Sequence, residues 1–143
     1  METGRIRRRF DAYMDLSRDI DRQIDRLTRL EASALSPSAP SLDGMPTGKG
    51  MPGDRVGRSV ALMDELQEDV SRMIATEKTE RAALEQMMAV LAADEKAVLR
   101  VLFFDRTRLE DAAEMLDLSV SSIKNYKKRA FERLEGMYGS AND

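Results

Sequence analysis

The 143 residues carry 23 Lys and Arg against 26 Asp and Glu, with neither histidine nor cysteine. Disulfides and thiolate metal sites are thereby excluded, and the usual general base near neutral pH is missing. No apolar run reaches membrane-spanning length, and the polar, arginine-rich first residues read as neither signal peptide nor anchor, which fits a reducing cytoplasm. At this length one modest core is expected, and with few aromatics the ten methionines join Leu and Ala as its fillers.

In chain order, residues 1–35 are expected to form a charged helix. Phe10, Tyr13, Ile20, Ile24 and Leu27 fall on a heptad-like stripe, Ser17 is a polar gap, and Leu16 and Leu30 lie alongside. The cluster Arg5, Arg7, Arg8 and Arg9 at its start has two open readings, contact with phosphates or a solvated helix start. Residues 36–54 hold all four prolines and the glycines Gly44, Gly48, Gly50 and Gly53, where no helix or strand should persist. Gly48-Lys49-Gly50 lacks both the spacing and the preceding strand of a nucleotide loop, so a linker or docking loop is expected there.

Residues 55–92 predict a second long helix with Met63, Leu66, Val70, Met73, Leu84, Met87 and Leu91 on its stripe. Glu77 and Glu80 interrupt that stripe, which predicts a bend or an exposed stretch. The two long helices are expected to form an antiparallel hairpin or a coiled coil with another chain. A two-helix arm is marginal alone, so a homodimer through the arm is the expected state, against a monomer whose arm folds back. β-type alternation is absent, and the fold class is all-α.

The last section, residues 93–138, carries the most informative pattern, followed by an expected disordered tail at 139–143. Thr107 and Glu110 have the form of a capping box opening a helix with Leu109, Ala112, Ala113 and Leu116 inward. Asp117-Leu118-Ser119 makes a turn, and Ser119 caps a further helix whose Ile123, Tyr126, Ala130 and Leu134 point inward, joined by Phe131. This is helix-turn-helix spacing. The outward positions Val120, Ser121, Ser122, Lys124, Asn125, Lys127 and Lys128, with Ser119, are the expected DNA-contacting residues of a helix that enters the major groove. From Ser119 to Glu135 there are five cations against two anions, whereas the whole chain is net −3. Phosphate contact supplies most non-specific affinity, so an isolated monomer should bind weakly, and a tethering partner or self-association would compensate.

The run Ala113-Glu114-x-Leu116-x-Leu118-Ser119-x-x-Ser122-Ile123-Lys124 resembles region 4 of bacterial sigma factors, and Asp94 to Phe104 resembles the helix leading into it. A narrower resemblance is to small sigma-like regulators of phages and prophages, grouped with late-gene regulators. It rests on Ser36-Pro37-Ser38 and Gly44-Met45-Pro46-Thr47-Gly48-Lys49-Gly50. The resemblance implies double-stranded DNA and host RNA polymerase as partners. Two positions depart from the pattern. Asp117 stands where the turn usually has glycine, so it must take a left-handed conformation or reshape the turn. Val120 and Ser121 stand where region 4 carries the Arg and Glu that read its promoter element. Asn125 falls at another base-reading position of the family and suits a bidentate contact to adenine.

Catalysis has little support: no serine lies in a nucleophile elbow, and the carboxylates are scattered among basic neighbours. Asp64/Glu65 and Glu68/Asp69 read as solvated face rather than cation sites. No catalytic residue, cofactor or metal is expected, and no membrane partner. The expected function is a sequence-specific, sigma-like transcriptional regulator acting in a bacterial cytoplasm. Two alternatives stand beside it, a small DNA-packaging subunit of the terminase type and a helical protein-binding adaptor.

Overall fold

A computed structural model describes residues 4–35 and 52–139. The expected tail at 139–143 lies outside them except for Gly139, and the loop motifs at 36–50 lie outside them entirely. Every regular element among the described residues is helical: α1 (Arg5–Leu35), α2 (Pro52–Met87), α3 (Ala93–Leu99), α4 (Leu109–Leu116) and α5 (Val120–Tyr138). None is long and apolar enough to cross a membrane.

α2 starts three residues before the expected helix and inside the expected loop, at Pro52. Proline suits the first turn, where its missing N–H would have had no intrahelical partner. α2 also stops earlier than expected, at Met87. A single 3-10 turn, Met88–Val90, and extended Leu91 and Ala92 separate it from α3. Ala92 offers no side-chain cap, but the buried Glu95 reaches back and accepts from the Ala92 amide at 3.1 Å.

The chain divides into two compact units, Met1–Ser17 with Glu77–Asp143, and Arg18–Thr76. The first has a continuous core that joins α1 residues to α3, α4 and α5. It therefore extends well beyond the module expected at 93–138. Phe10 is the reason. It is fully buried and meets the rings of Phe103 at 5.5 Å, Phe131 at 5.2 Å and Phe104 at 6.5 Å. Phe103 and Phe131 meet edge to face at 5.5 Å, and Tyr13 meets Phe104 at 5.2 Å. All four phenylalanines of the chain are in this cluster, and each such pair adds ~0.5–1.5 kcal/mol beyond its buried area.

The start of α1 is capped from the far end of the sequence. The Arg7 amide donates to the Glu135 carboxylate at 2.9 Å, and the Arg5 guanidinium donates to the Gly139 carbonyl at 3.2 Å. The Glu135 carboxylate occupies the space a Cβ at position 4 would need, so Gly4 permits the approach.

Farther along α1, the Arg9 guanidinium grips Glu80 at 2.6 and 3.0 Å, and the Tyr13 hydroxyl donates to Glu77. Partners rise in number on one helix and fall on the other, so the two run antiparallel here. Glu77 and Glu80 lie within one continuous helix, in the expected exposed stretch: no side chain from 71 to 83 is buried, and α1 presents a hydroxyl and a guanidinium to the two carboxylates. The contact with Glu80 is also the first cause holding the Arg9 pKa above its ordinary value.

α3 continues into a π-helical turn, Arg100–Phe104, closed by the Asp105 amide donating to the Arg100 carbonyl at 3.0 Å. Val101, Leu102, Phe103 and Phe104 are consecutive and all buried. Four consecutive side chains point to more than one side of such a turn, so their burial means that the core encloses it. Arg106, at φ 52°, then redirects the chain towards α4.

The second unit contains the remainder of α1 and most of α2. Among its described residues only Ile20, Leu66 and Val70 are buried, while Ile24, Val60 and Leu62 are 41%, 46% and 44% exposed. Asp69 is paired with Arg72 and Asp25 with Arg29. No group of three or more carboxylates among the described residues is placed to hold a metal ion.

Candidate nucleic-acid interface

α4 and α5 form the helix-turn-helix, and α3 packs against α5 behind it. The capping box at Thr107 does not form. Arg108 is the residue before the helix and makes no side-chain cap bond, while the Thr107 amide is drawn back to the Val101 carbonyl at 3.0 Å. Glu110 and Asp111 remain in the first turn of α4, where the helix dipole favours them.

At the turn, Asp117 takes the left-handed conformation, φ 57° and ψ 46°. The Leu118 amide donates to the Ala113 carbonyl at 2.9 Å and the Asp117 amide to the Glu114 carbonyl at 3.3 Å. This is a Schellman closure, made with aspartate in place of glycine. Ser119 follows with extended backbone, and its Oγ accepts from the Ser122 amide at 3.0 Å. The spacing predicted that cap, and Ile123, Ala130, Phe131 and Leu134 are buried as expected. Tyr126 is half-buried against the same core.

The eight expected contact residues are not equivalent. Ser121, Lys124, Asn125 and Lys128 are exposed. With spacings of three and four they form one outward strip along the first turns of α5, the part that reaches base edges when such a helix enters a groove. Ser119 is exposed as well, but its hydroxyl is hydrogen-bonded to Ser122 Oγ at 3.0 Å and to the Ser122 amide. Ser122 is half-buried. Val120 packs on the core edge, so its apolar side chain is part of the module's interior.

Lys127 differs most from expectation. Instead of standing among the outward cations, it is half-buried with its ammonium 5.7 Å from the Phe103 ring centre. Desolvation lowers its pKa first, the nearby Arg7 lowers it further, and Asp11 partly offsets both. Arg7 lies over the same rings, its guanidinium carbon 5.2 Å from Phe131 and 5.9 Å from Phe103. Helical position explains the shift, since Lys127 lies one turn from both Ile123 and Phe131, two core residues. In the sequence Arg7 is one of four arginines at the start of α1. Only the pairing of distant elements separates it from Arg9, which is tied to Glu80, and from Arg5, which is tied to Gly139.

The exposed charge around the motif is mixed. Lys124, Lys128, Arg129 and Arg133 lie on α5, with Arg129 resting 5.4 Å from the Tyr126 ring, and Glu110, Asp111 and Glu114 are exposed on α4. A helix of this kind projects a short polar and cationic strip from a rigid three-helix support. Residues 81–134 match the family model for sigma-70, region 4. The matched segment begins in the last turns of α2 and ends within α5. The described core reaches further, because Ile6, Phe10 and Tyr13 of α1 lie outside the matched residues and complete the interior. Comparison with curated proteins gave no match, and neither did comparison with solved structures.

Proposed function

We propose that the chain is a DNA-binding transcription regulator of the sigma region 4 type, which acts with host RNA polymerase. The observation that carries this reading is the exposed strip Ser121, Lys124, Asn125 and Lys128 on the second helix of a helix-turn-helix matched by region 4. Region 4 modules bind DNA and polymerase. In this reading Asn125 discriminates bases by a bidentate contact, and Lys124 and Lys128 neutralise flanking phosphates. The resemblance of residues 36–50 to phage regulators supports a phage or prophage origin, and hence action in a bacterial cytoplasm.

Catalysis is no part of this reading, and affinity from so short a cationic strip calls for help. We assign that help to polymerase and to a homodimer formed through the second unit, whose exposed Ile24, Val60 and Leu62 suit self-association.

The deciding experiment maps bound sites on fragmented DNA of the source genome with the purified full chain, with and without host polymerase. Discrete sites that sharpen with polymerase support the proposal. Lys128→Ala should weaken every sequence alike, whereas Asn125→Ala should mainly relax sequence choice. Uniform retention of all fragments by both variants would remove the sequence-specific role, and a ring of eight or more subunits by mass would favour a DNA-packaging subunit.

A further inference from the structure

The first turn of α1 brings a cation to the flank of the recognition helix. Two independent anchors fix Arg7 there: its amide is held by Glu135 at 2.9 Å, and Phe10, one turn on, is fully buried in the aromatic cluster. The guanidinium consequently lies over Phe131 and Phe103, and the Lys127 ammonium lies over Phe103 from α5. On α5, Lys127 is one turn from Phe131 in one direction and one turn from the exposed Lys124 in the other. The three cations therefore run from the core edge to the outward strip.

Two like charges over one ring repel each other, and the lowered pKa of Lys127 reflects it in part. The Asp11 carboxylate faces the Arg7 guanidinium with its oxygen 3.5 Å from Nε, too far for a strong ion pair. That Nε is buried without a hydrogen-bond partner, so a phosphate would meet the terminal nitrogens of the partly exposed guanidinium. Two cations thus face the Asp11 carboxylate, which is partly exposed, and the Glu135 carboxylate, which is already engaged by the Arg7 amide.

We infer that Arg7 and Lys127, placed side by side by α1 and α5, form a second phosphate-contacting patch that engages the DNA backbone beside the recognition helix. This inference rests on the DNA-binding reading and extends the interface to a residue outside the matched region 4 segment. A backbone phosphate would take over from Asp11 as the acceptor, and it would relieve the repulsion between the cations. A guanidinium suits that role because its fork of donors matches phosphate oxygens and its flat face tolerates an aromatic floor.

The test measures binding of the full chain to a duplex of arbitrary sequence across a series of salt concentrations. Arg7→Gln should reduce the magnitude of the log–log salt slope by about 0.9, the value for one duplex phosphate contact, and Arg7→Lys should restore most of it. Asp11→Asn removes the competing carboxylate from the surface without touching the core, and it should tighten binding several-fold at low salt. Lys124→Gln reports on the recognition helix alone. If it flattens the slope while Arg7→Gln, with an unchanged circular dichroism spectrum, does not, the patch is wrong and the region 4 reading survives. Should Arg7→Gln fail to fold, Asp11→Asn decides, and unchanged or weaker binding overturns the patch. If the unmodified chain shows no salt-dependent duplex binding, both readings fall.

Discussion

Between them, Met1–Ser17 and Glu77–Asp143 hold every phenylalanine and almost every buried side chain among the described residues, whereas the described part of Arg18–Thr76 buries only Ile20, Leu66 and Val70. Both units use stretches of the same two helices, α1 and α2. Propensity therefore does not separate them, because helix formers fill both. What separates them is what the helices meet. In the first unit α1 inserts Phe10 among three other rings and closes its start on Glu135. The second has aliphatic contacts and exposed ion pairs, which contribute little at the surface. Most helical stability comes from tertiary packing, so the second unit is the one expected to open first.

The contrast can be broken most severely at Phe10. Phe10→Ala should cost ~3–5 kcal/mol, since it leaves a hole lined by Phe103, Phe104 and Phe131. Denaturant unfolding would show it, and a loss below about 1 kcal/mol would mean that α1 is not part of the module's core. Leu66→Ala should cost about 2 kcal/mol, the lower end for such a truncation, because its surroundings are open enough to relax. Hydrogen exchange should then report lost protection within residues 18–76 and unchanged protection in α3 and α5. Equal loss in all of them would merge the two units into one cooperative block. Glu135→Ala should cost about 1 kcal/mol, the usual value of a lost helix cap, and a thermal melt would register it.

The smallest effect is on pH dependence. Burial, then the Glu77 contact, pushes the Tyr13 hydroxyl up from 10.0 to about 12. A raised folded-state value means that the folded chain holds this proton more tightly than the unfolded chain does. Its stabilising contribution is complete below pH 10 and is lost as pH rises through about 12. Absorbance titration should show one of the three tyrosines ionising late, and Glu77→Gln should move it back towards the ordinary value.

Much of this was legible in the sequence, and the exceptions share a cause. The turn at Asp117, the Ser119 cap and the inward set Ile123, Ala130 and Leu134 depend on residues within one or two turns, which spacing reports directly. Thr107 misled because its amide is claimed by Val101 across a π turn, and no periodicity marks such a turn except the consecutive run Val101 to Phe104. Glu77 and Glu80 read as a flaw in the α2 stripe because their partners, Tyr13 and Arg9, lie on another helix. Lys127 read as outward because charge was weighed over its one-turn distance from two core positions. Phe10 showed a heptad position and nothing more, since its companions lie far along the chain.

That separation bears on how the protein comes into being. Arg7 is synthesised 128 residues before the Glu135 that receives its amide, and Phe10 leaves the ribosome long before Phe103 or Phe131 exists. Until α5 emerges, α1 is without its cap and shows an aromatic face to whatever surrounds the nascent chain. Contacts of such long sequence separation slow folding, because the loop they close must form before they contribute. α5 and the support it leans on are therefore completed together, so a truncated product ending before α5 would have no partly assembled module to offer.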